Sequence, residues 1–184
     1  MGITIDGAGT ITGLDADGIS AQPVFPGQVL QVVSTTKTDT YSVSLGGAAT
    51  DTNNFISASI TPNSATSKIL IMVHTTASGL SGINAQGLLL FRNSTQICLA
   101  DAAGSRARRA TAGQSATGDD NTTNNHSLNF LDNPNSTSAL IYGVRLSNPA
   151  ASTNTFFINR SVMDGDVAQR TRGTSTITLM EIAG

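Results

Sequence analysis

Ile56-Ser57-Ala58-Ser59-Ile60-Thr61-Pro62-Asn63-Ser64-Ala65-Thr66-Ser67-Lys68-Ile69-Leu70-Ile71-Met72-Val73 is the stretch on which the fold turns. Its first five residues alternate apolar with small polar, the period-two pattern of a strand with one face on a core. Pro62-Asn63-Ser64 stops that strand, because proline lacks the N–H that a ladder needs and Asn and Ser bond neighbouring backbone. Ile69–Val73 then runs apolar without interruption, which predicts a strand buried on both faces. Strand, turn, strand, with no helical period between them, is the signature of a β protein.

The same reading extends in both directions. Upstream, Val29–Val33 is a nearly continuous apolar run, and Tyr41, Val43 and Leu45 share one face of a short strand. Downstream, Leu88–Phe91, a turn at Asn93-Ser94-Thr95 and Gln96–Leu99 form a hairpin pattern. Ser127–Leu131 follows, Asp132-Asn133-Pro134-Asn135 turns the chain, and Leu140, Tyr142, Val144 and Leu146 align on one face with Gly143 and Arg145 on the other. Phe156–Ile158 and a closing strand Ser175–Ile182 complete about eight to ten strands. Short strands punctuated by regular turns predict an all-β, antiparallel, jelly-roll-like sandwich over residues 28–184. The closing strand is expected to lie centrally in its sheet.

Composition agrees with this reading and excludes several functions. Charged residues make up 12% of the 184-residue chain, about half of the roughly 25% usual for globular proteins. Ser and Thr supply about a quarter of the sequence, and β-branched threonine suits a pleated surface. Ten basic against twelve acidic residues give a net charge of −2, far from the dense basic face that nucleic acid demands. No stretch approaches the ~18 apolar residues of a membrane span. The first residues lack the basic start and apolar run of a signal peptide, so synthesis in a host cytoplasm is expected. The single Cys98 forms no internal disulfide and, within Ile97-Cys98-Leu99, reads as a small buried hydrophobe.

Catalytic constellations are not legible. His74 and His126 are the only histidines, and neither stands beside a nucleophile or acid motif. Two isolated histidines and one cysteine have no zinc-site spacing, so no metal and no cofactor is expected. Three acidic pairs, Asp15/Asp17, Asp119/Asp120 and Asp164/Asp166, raise the question of a glycan hydrolase. Such clefts want aromatic platforms, and the chain has no Trp, two Tyr and six Phe. Asp in turns bonding its own backbone is the simpler account. No enzyme is expected, and no catalytic residue is assigned.

Two segments stand outside the sandwich pattern. Residues 1–27 carry two short β-type pieces, Ile3–Ile5 and Thr10–Leu14, separated by glycines, and end in a Pro23/Pro26 linker held extended by its prolines. With so few apolar side chains the arm cannot make a core, so Ile3, Ile5, Ile11, Leu14 and Ile19 are read as docking residues for a partner surface. Residues 100–125 break the strand pattern, and long irregular segments in compact domains are usually functional. Arg106, Arg108 and Arg109, with Asp119 and Asp120, make this the candidate interface or receptor loop. The arginines are either an exposed turn or forks that bind carboxylates of a neighbouring subunit.

Several stretches together resemble a known family. Gly27-Gln28-Val29-Leu30-Gln31-Val32-Val33-Ser34-Thr35-Thr36-Lys37-Thr38-Asp39-Thr40 resembles the opening of a β domain common in tail-fibre and other virion proteins of tailed bacteriophages, cyanophages especially. Ser59–Leu70, Phe130-Leu131-Asp132-Asn133-Pro134, Asn159-Arg160-Ser161 and Ser175–Ile182 are similar to its later landmarks, and Met1–Leu14 resembles the start of such fibres. The resemblance implies a homotrimeric virion component that meets tail or capsid proteins through its arm and a host surface glycan or receptor through its loops. It implies no defined ligand. Only about a dozen residues separate arm from domain where fibres carry a long shaft. The expectation is therefore a short fibre or knob, with a capsid decoration (cement) protein as the alternative and a glycan depolymerase as a third, weaker reading.

Overall fold

The computed structural model describes residues 4–5, 7, 11–12, 24–46, 50–79, 87–112, 120–148 and 152–184. Among these residues the secondary structure is entirely β: β1 (Thr4–Ile5), β2 (Ile11–Thr12), β3 (Val29–Lys37), β4 (Tyr41–Leu45), β5 (Thr50–Asp51), β6 (Ile56–Ile60), β7 (Lys68–Gly79), β8 (Leu88–Arg92), β9 (Thr95–Ile97), β10 (Asn124–Asp132), β11 (Leu140–Asn148), β12 (Asn154–Ile158) and β13 (Ser175–Ile182). All pairings are antiparallel.

The long strand β7 organises the first sheet. One edge pairs with β10 from Ile69 to Ala77; the other pairs with β13 and then, beyond it, with β12. β3 lies outside β13, and β4 outside β12. In the second sheet β11 pairs β6 and β5 along one edge and β8 along the other, with β9 outermost. Count β3, β6, β7, β8, β9, β10, β11 and β13 as principal strands one to eight. The sheets then run one-eight-three-six and two-seven-four-five. That order is a double-sheet jelly roll. The closing strand is central, as expected.

Between the sheets lies one core. Ile69, Ile71, Val73, Leu128, Phe156, Ile158, Ile177 and Leu179 face Ile56, Ala58, Ile60, Leu88, Leu90, Leu140, Tyr142, Val144 and Leu146. The one-face alignment expected for Leu140, Tyr142, Val144 and Leu146 is observed, all four being buried. The apolar run Ile69–Val73 behaves differently: Ile69, Ile71 and Val73 are buried, whereas Leu70 and Met72 are only half-covered on the outer face. Val29–Val33 lies on an edge strand with Val29 and Val32 exposed.

Buried polar groups fasten the sheets at defined points. Asp132, at the end of β10, accepts from Tyr142 Oη at 2.7 Å and from Arg92 Nη1 at 2.8 and 3.0 Å, so its carboxylate ties the two sheets together. Burial, reinforced by the Asp132 contact, pushes the Tyr142 phenol up. Glu181 is fully buried. Burial raises its carboxyl, but hydrogen bonds from Gln31 and from the Asn63 side chain and backbone outweigh this and hold it below the usual range. The Pro62-Asn63-Ser64 turn is thereby locked onto the closing strand. Asn159, left-handed at φ 61, fills the gap along β7 where β12 ends and β13 begins. Its N–H donates to Thr76 O, its amide to Lys37 O and Asp39 O, and its oxygen accepts from Ser175. Asn tolerates this conformation better than most residues.

Candidate functional site

Within the arm, the structure pairs the two strand pieces with each other: Thr4 faces Thr12 and Ile5 faces Ile11. Both expected β pieces exist, and they form a two-stranded ladder separate from the sandwich sheets. Ile3, Leu14 and Ile19 lie outside the described residues. The linker meets the domain where Gly27 N–H donates to Ala183 O and Ala183 N–H to Gln28 O, each at 2.8 Å. The arm therefore joins at an edge of the first sheet, beside the end of β13.

The arginine loop is built by an interruption of a strand. β9 ends at Ile97, and Cys98 at φ 54 turns the chain out of the sheet. The chain returns at Ala110, whose N–H donates to Leu88 O, while Thr111 Oγ1 accepts from Leu88 N–H. Residues 99–109 thus arch over the outer face of the second sheet. Gln96 Nε2 holds the Arg108 carbonyl at 3.0 Å, and Arg106 Nη1 and Arg108 Nε donate to the carbonyls of Ala103 and Ala100. Cys98 is only half-buried at the point of departure, not the fully buried residue its apolar neighbours suggested. Burial still pushes its thiol up.

A cavity of about 440 Å³ lies beneath this arch, lined by Asp51, Leu89, Phe91, Gln96, Leu99, Arg106, Ala107, Arg108 and Ser147. Its floor is fixed by Arg145, which lies 3.7 Å over the Phe91 ring and pairs with Asp51 at 3.0 Å. Arg145 also donates to Asn54, which packs directly over Gly143, where a Cβ would collide with it. The sequence triplet is shared out among neighbouring cavities: Arg106 and Arg108 line this one, Arg106 and Arg109 line a second of about 360 Å³ with Ala100, Ala107 and Thr111, and Arg109 also borders a third with Cys98, Ala110 and Phe130. Burial pulls the Arg109 guanidinium below its ordinary value. Nothing in the spacing of the triplet distinguishes its members. The strand return at Ala110 does.

Asp120 belongs elsewhere. Its carbonyl accepts from Met163 N–H, and the adjacent Asn121 accepts from Arg170. Asp119 lies outside the described residues. In the same cluster Asp164 is gripped by Arg160 at 3.2 Å and by Arg172. Two arginines on one carboxylate give Asp164 a structural role, through ion pairs rather than the backbone bond expected of an aspartate in a turn. His74 is exposed on the outer face of the first sheet, while His126 is buried on the inner face, its Nδ1 3.5 Å from Thr111 Oγ1. Burial holds His126 below the ordinary imidazole value. Among the described residues no group of three or more His, Cys, Asp or Glu is arranged to hold a metal.

The outer face of the first sheet carries a feature the sequence reading passed over. Leu70 sits opposite Met180 on one side and Leu131 on the other, and Met180 sits opposite Val32. One apolar row therefore crosses four strands, with Val32 55% and Leu131 51% exposed. Next to it run rows of Ser34, Thr178, Met72 and Asn129, then Thr36, Thr176, His74 and Ser127. The signal was the second face of the run Ile69–Val73, where Leu70 and Met72 point away from the core.

No protein-family model and no curated protein matches the chain. Solved structures of infectious bursal disease virus proteins do. The Gx strain structure is 13% identical over 90% of this chain and 42% of that one, with a TM-score of 0.44. The T=1 particles derived from the virus give 15% identity, 93% and 40% coverage and a TM-score of 0.45. The VP2 subviral particle gives 13%, 93%, 41% and 0.42. The chain spans about two fifths of the length of the structures it matches. The jelly-roll assignment stands on the strand registers themselves.

Proposed function

We propose that the chain is a structural, non-enzymatic protein of a bacteriophage particle. In this reading it is a short trimeric fibre or knob, held through its N-terminal arm and presenting loops to a host glycan or receptor. The observation that carries the reading is the in-register apolar row Val32–Met180–Leu70–Leu131, bordered on one side by two rows rich in hydroxyl side chains. Contiguous exposed apolar surface rimmed by polar groups marks a packing site, and copies around a threefold axis bury such a face once per subunit. The sequence resemblance to phage virion β domains supports the same assignment. An arm whose ladder is two residues per strand offers main-chain groups for addition to another sheet, a mode that needs few specific side chains.

The alternative, a cement protein on the capsid, is favoured by one fact: β2 ends at Thr12 and β3 begins at Val29, which leaves no length for a shaft. Labelling intact particles with an antibody to the chain separates the two. Label confined to the tail supports the fibre, label over the whole shell supports the cement protein, and unlabelled particles overturn both. Removal of residues 1–20 is expected to leave a cooperatively folding sandwich that no longer joins particles. Normal incorporation of the truncated chain would refute the docking role of the arm.

A further inference from the structure

The cavity under the arginine arch is positively charged and, in the isolated chain, unmatched. Asp51 is its one acidic residue and is already paired with Arg145. Arg106 and Arg108 reach only the backbone carbonyls of Ala103 and Ala100, and neither forms an ion pair among the described residues. A carbonyl accepts a hydrogen bond but leaves the guanidinium charge uncompensated, and a planar five-donor group is suited to a carboxylate. The cavity wall also offers Leu89, Leu99 and Ala107 to an apolar neighbour. The site therefore fits a short segment that combines carboxylates with small or apolar side chains.

Such a segment is present in the chain itself. Residues 1–36 contain Asp6, Asp15 and Asp17 and no Lys, Arg or His, so the arm is purely acidic; all ten basic residues follow at or after Lys37. Ile11-Thr12-Gly13-Leu14-Asp15-Ala16-Asp17 places two carboxylates directly after an apolar residue. The arm leaves the domain at Gly27, at an edge of the first sheet, whereas the cavity lies on the outer face of the second. Asp17 is ten residues before Gly27, which lets it lie at most about 33–36 Å from the domain.

We infer that the arm of one copy docks in the cavity of a second, with Asp15 and Asp17 received by Arg106 and Arg108. This rests on the assembly role proposed above and names the surface that serves it. The contact is head-to-tail, because arm and cavity are different surfaces, and three such contacts close into a ring with cyclic symmetry. Arg109 and Asp120 take no part.

Charge exchange in the full-length chain tests the inference, with self-association measured by sedimentation. Asp15→Lys with Asp17→Lys, or Arg106→Glu with Arg108→Glu, should each weaken self-association by roughly tenfold or more, with urea midpoints unchanged. Mixing these two variants should restore mixed dimers and open trimers, because each lysine arm meets a glutamate cavity and each native arm a native cavity, and all four changes combined in one chain should restore the closed ring. Association restored in the four-change chain while mixing yields no mixed species of any size would mean that the arm docks on its own domain, and would overturn the inference. Undiminished association of either double variant would overturn it too. Should a charge reversal shift the urea midpoint, Arg106→Gln with Arg108→Gln substitutes for it and must still weaken association. Particle labelling without rescue by mixing would remove this contact and leave the virion reading standing. Rescue without particle labelling would do the reverse.

Discussion

Two groups of arginines in this sandwich are chemically alike and structurally opposite. Arg160 and Arg172 converge on Asp164, and Arg170 bonds Asn121. Arg160 also donates to the carbonyls of Ser161 and Val162 and lies 4.6 Å over the Phe157 ring. These guanidiniums hold the 160–172 segment together. Arg106 and Arg108 merely shape their own loop through the Ala103 and Ala100 carbonyls and form no ion pair among the described residues. A charge compensated inside the chain is committed to folding. One left with carbonyls alone is available to a neighbour, and evenly exposed sequence motifs give no hint of which is which.

The comparison can be broken most severely at the best-paired arginine. Asp132→Ala strips Arg92 of its carboxylate and leaves the buried Tyr142 hydroxyl unmatched, so unfolding stability should fall by about 3–5 kcal/mol in urea titrations. A change of a few tenths would mean that the sheets are not tied there. A smaller effect is expected from creating a positive charge where no acid awaits it. His126 is buried with Nε2 lacking a hydrogen-bond partner among the described residues, and its folded pKa lies below the unfolded value near 6.5. The unfolded chain therefore binds the proton first, and stability, full above about pH 6.5, declines as the pH falls through that value toward the folded pKa. His126→Gln should lack this component when urea midpoints are compared on either side of the window; identical pH profiles would contradict it.

Smaller again, Asp164→Ala frees Arg160 and Arg172 at a partly exposed site, for a loss of about 1 kcal/mol or less. Its clearer readout is faster amide exchange across residues 160–172. Least of all, Arg106→Gln with Arg108→Gln should move the unfolding midpoint by no more than about 0.5 kcal/mol. A large loss of stability there would place these arginines with the folding group and erase the distinction.

Much of the architecture was legible because alternation survives wherever one strand face meets the core. Ile56–Ile60, Leu140–Leu146 and Ser175–Ile182 show it directly. It failed at Ile69–Val73, where apolar residues on both faces hid an outer surface as well as an inner one. It also failed at the boundaries of the irregular segment, since β10 begins at Asn124 within a run of Asn and Thr that reads as loop. Cys98 and Asn159, both at positive φ, took conformations that neighbouring residues in sequence do not announce.

For the functional residues the division is sharper. Period-two patterning and turn chemistry are local, and they alone determined an all-β sandwich. How Arg92 meets its acid, which face of β7 stays open and which histidine is buried depend on partners tens of residues away. Asp132 finds Arg92, 40 residues back, only after strands distant in the chain have been laid side by side. Ionic and hydrogen-bonding partners act over a few ångströms in space, so the tertiary structure alone decided them.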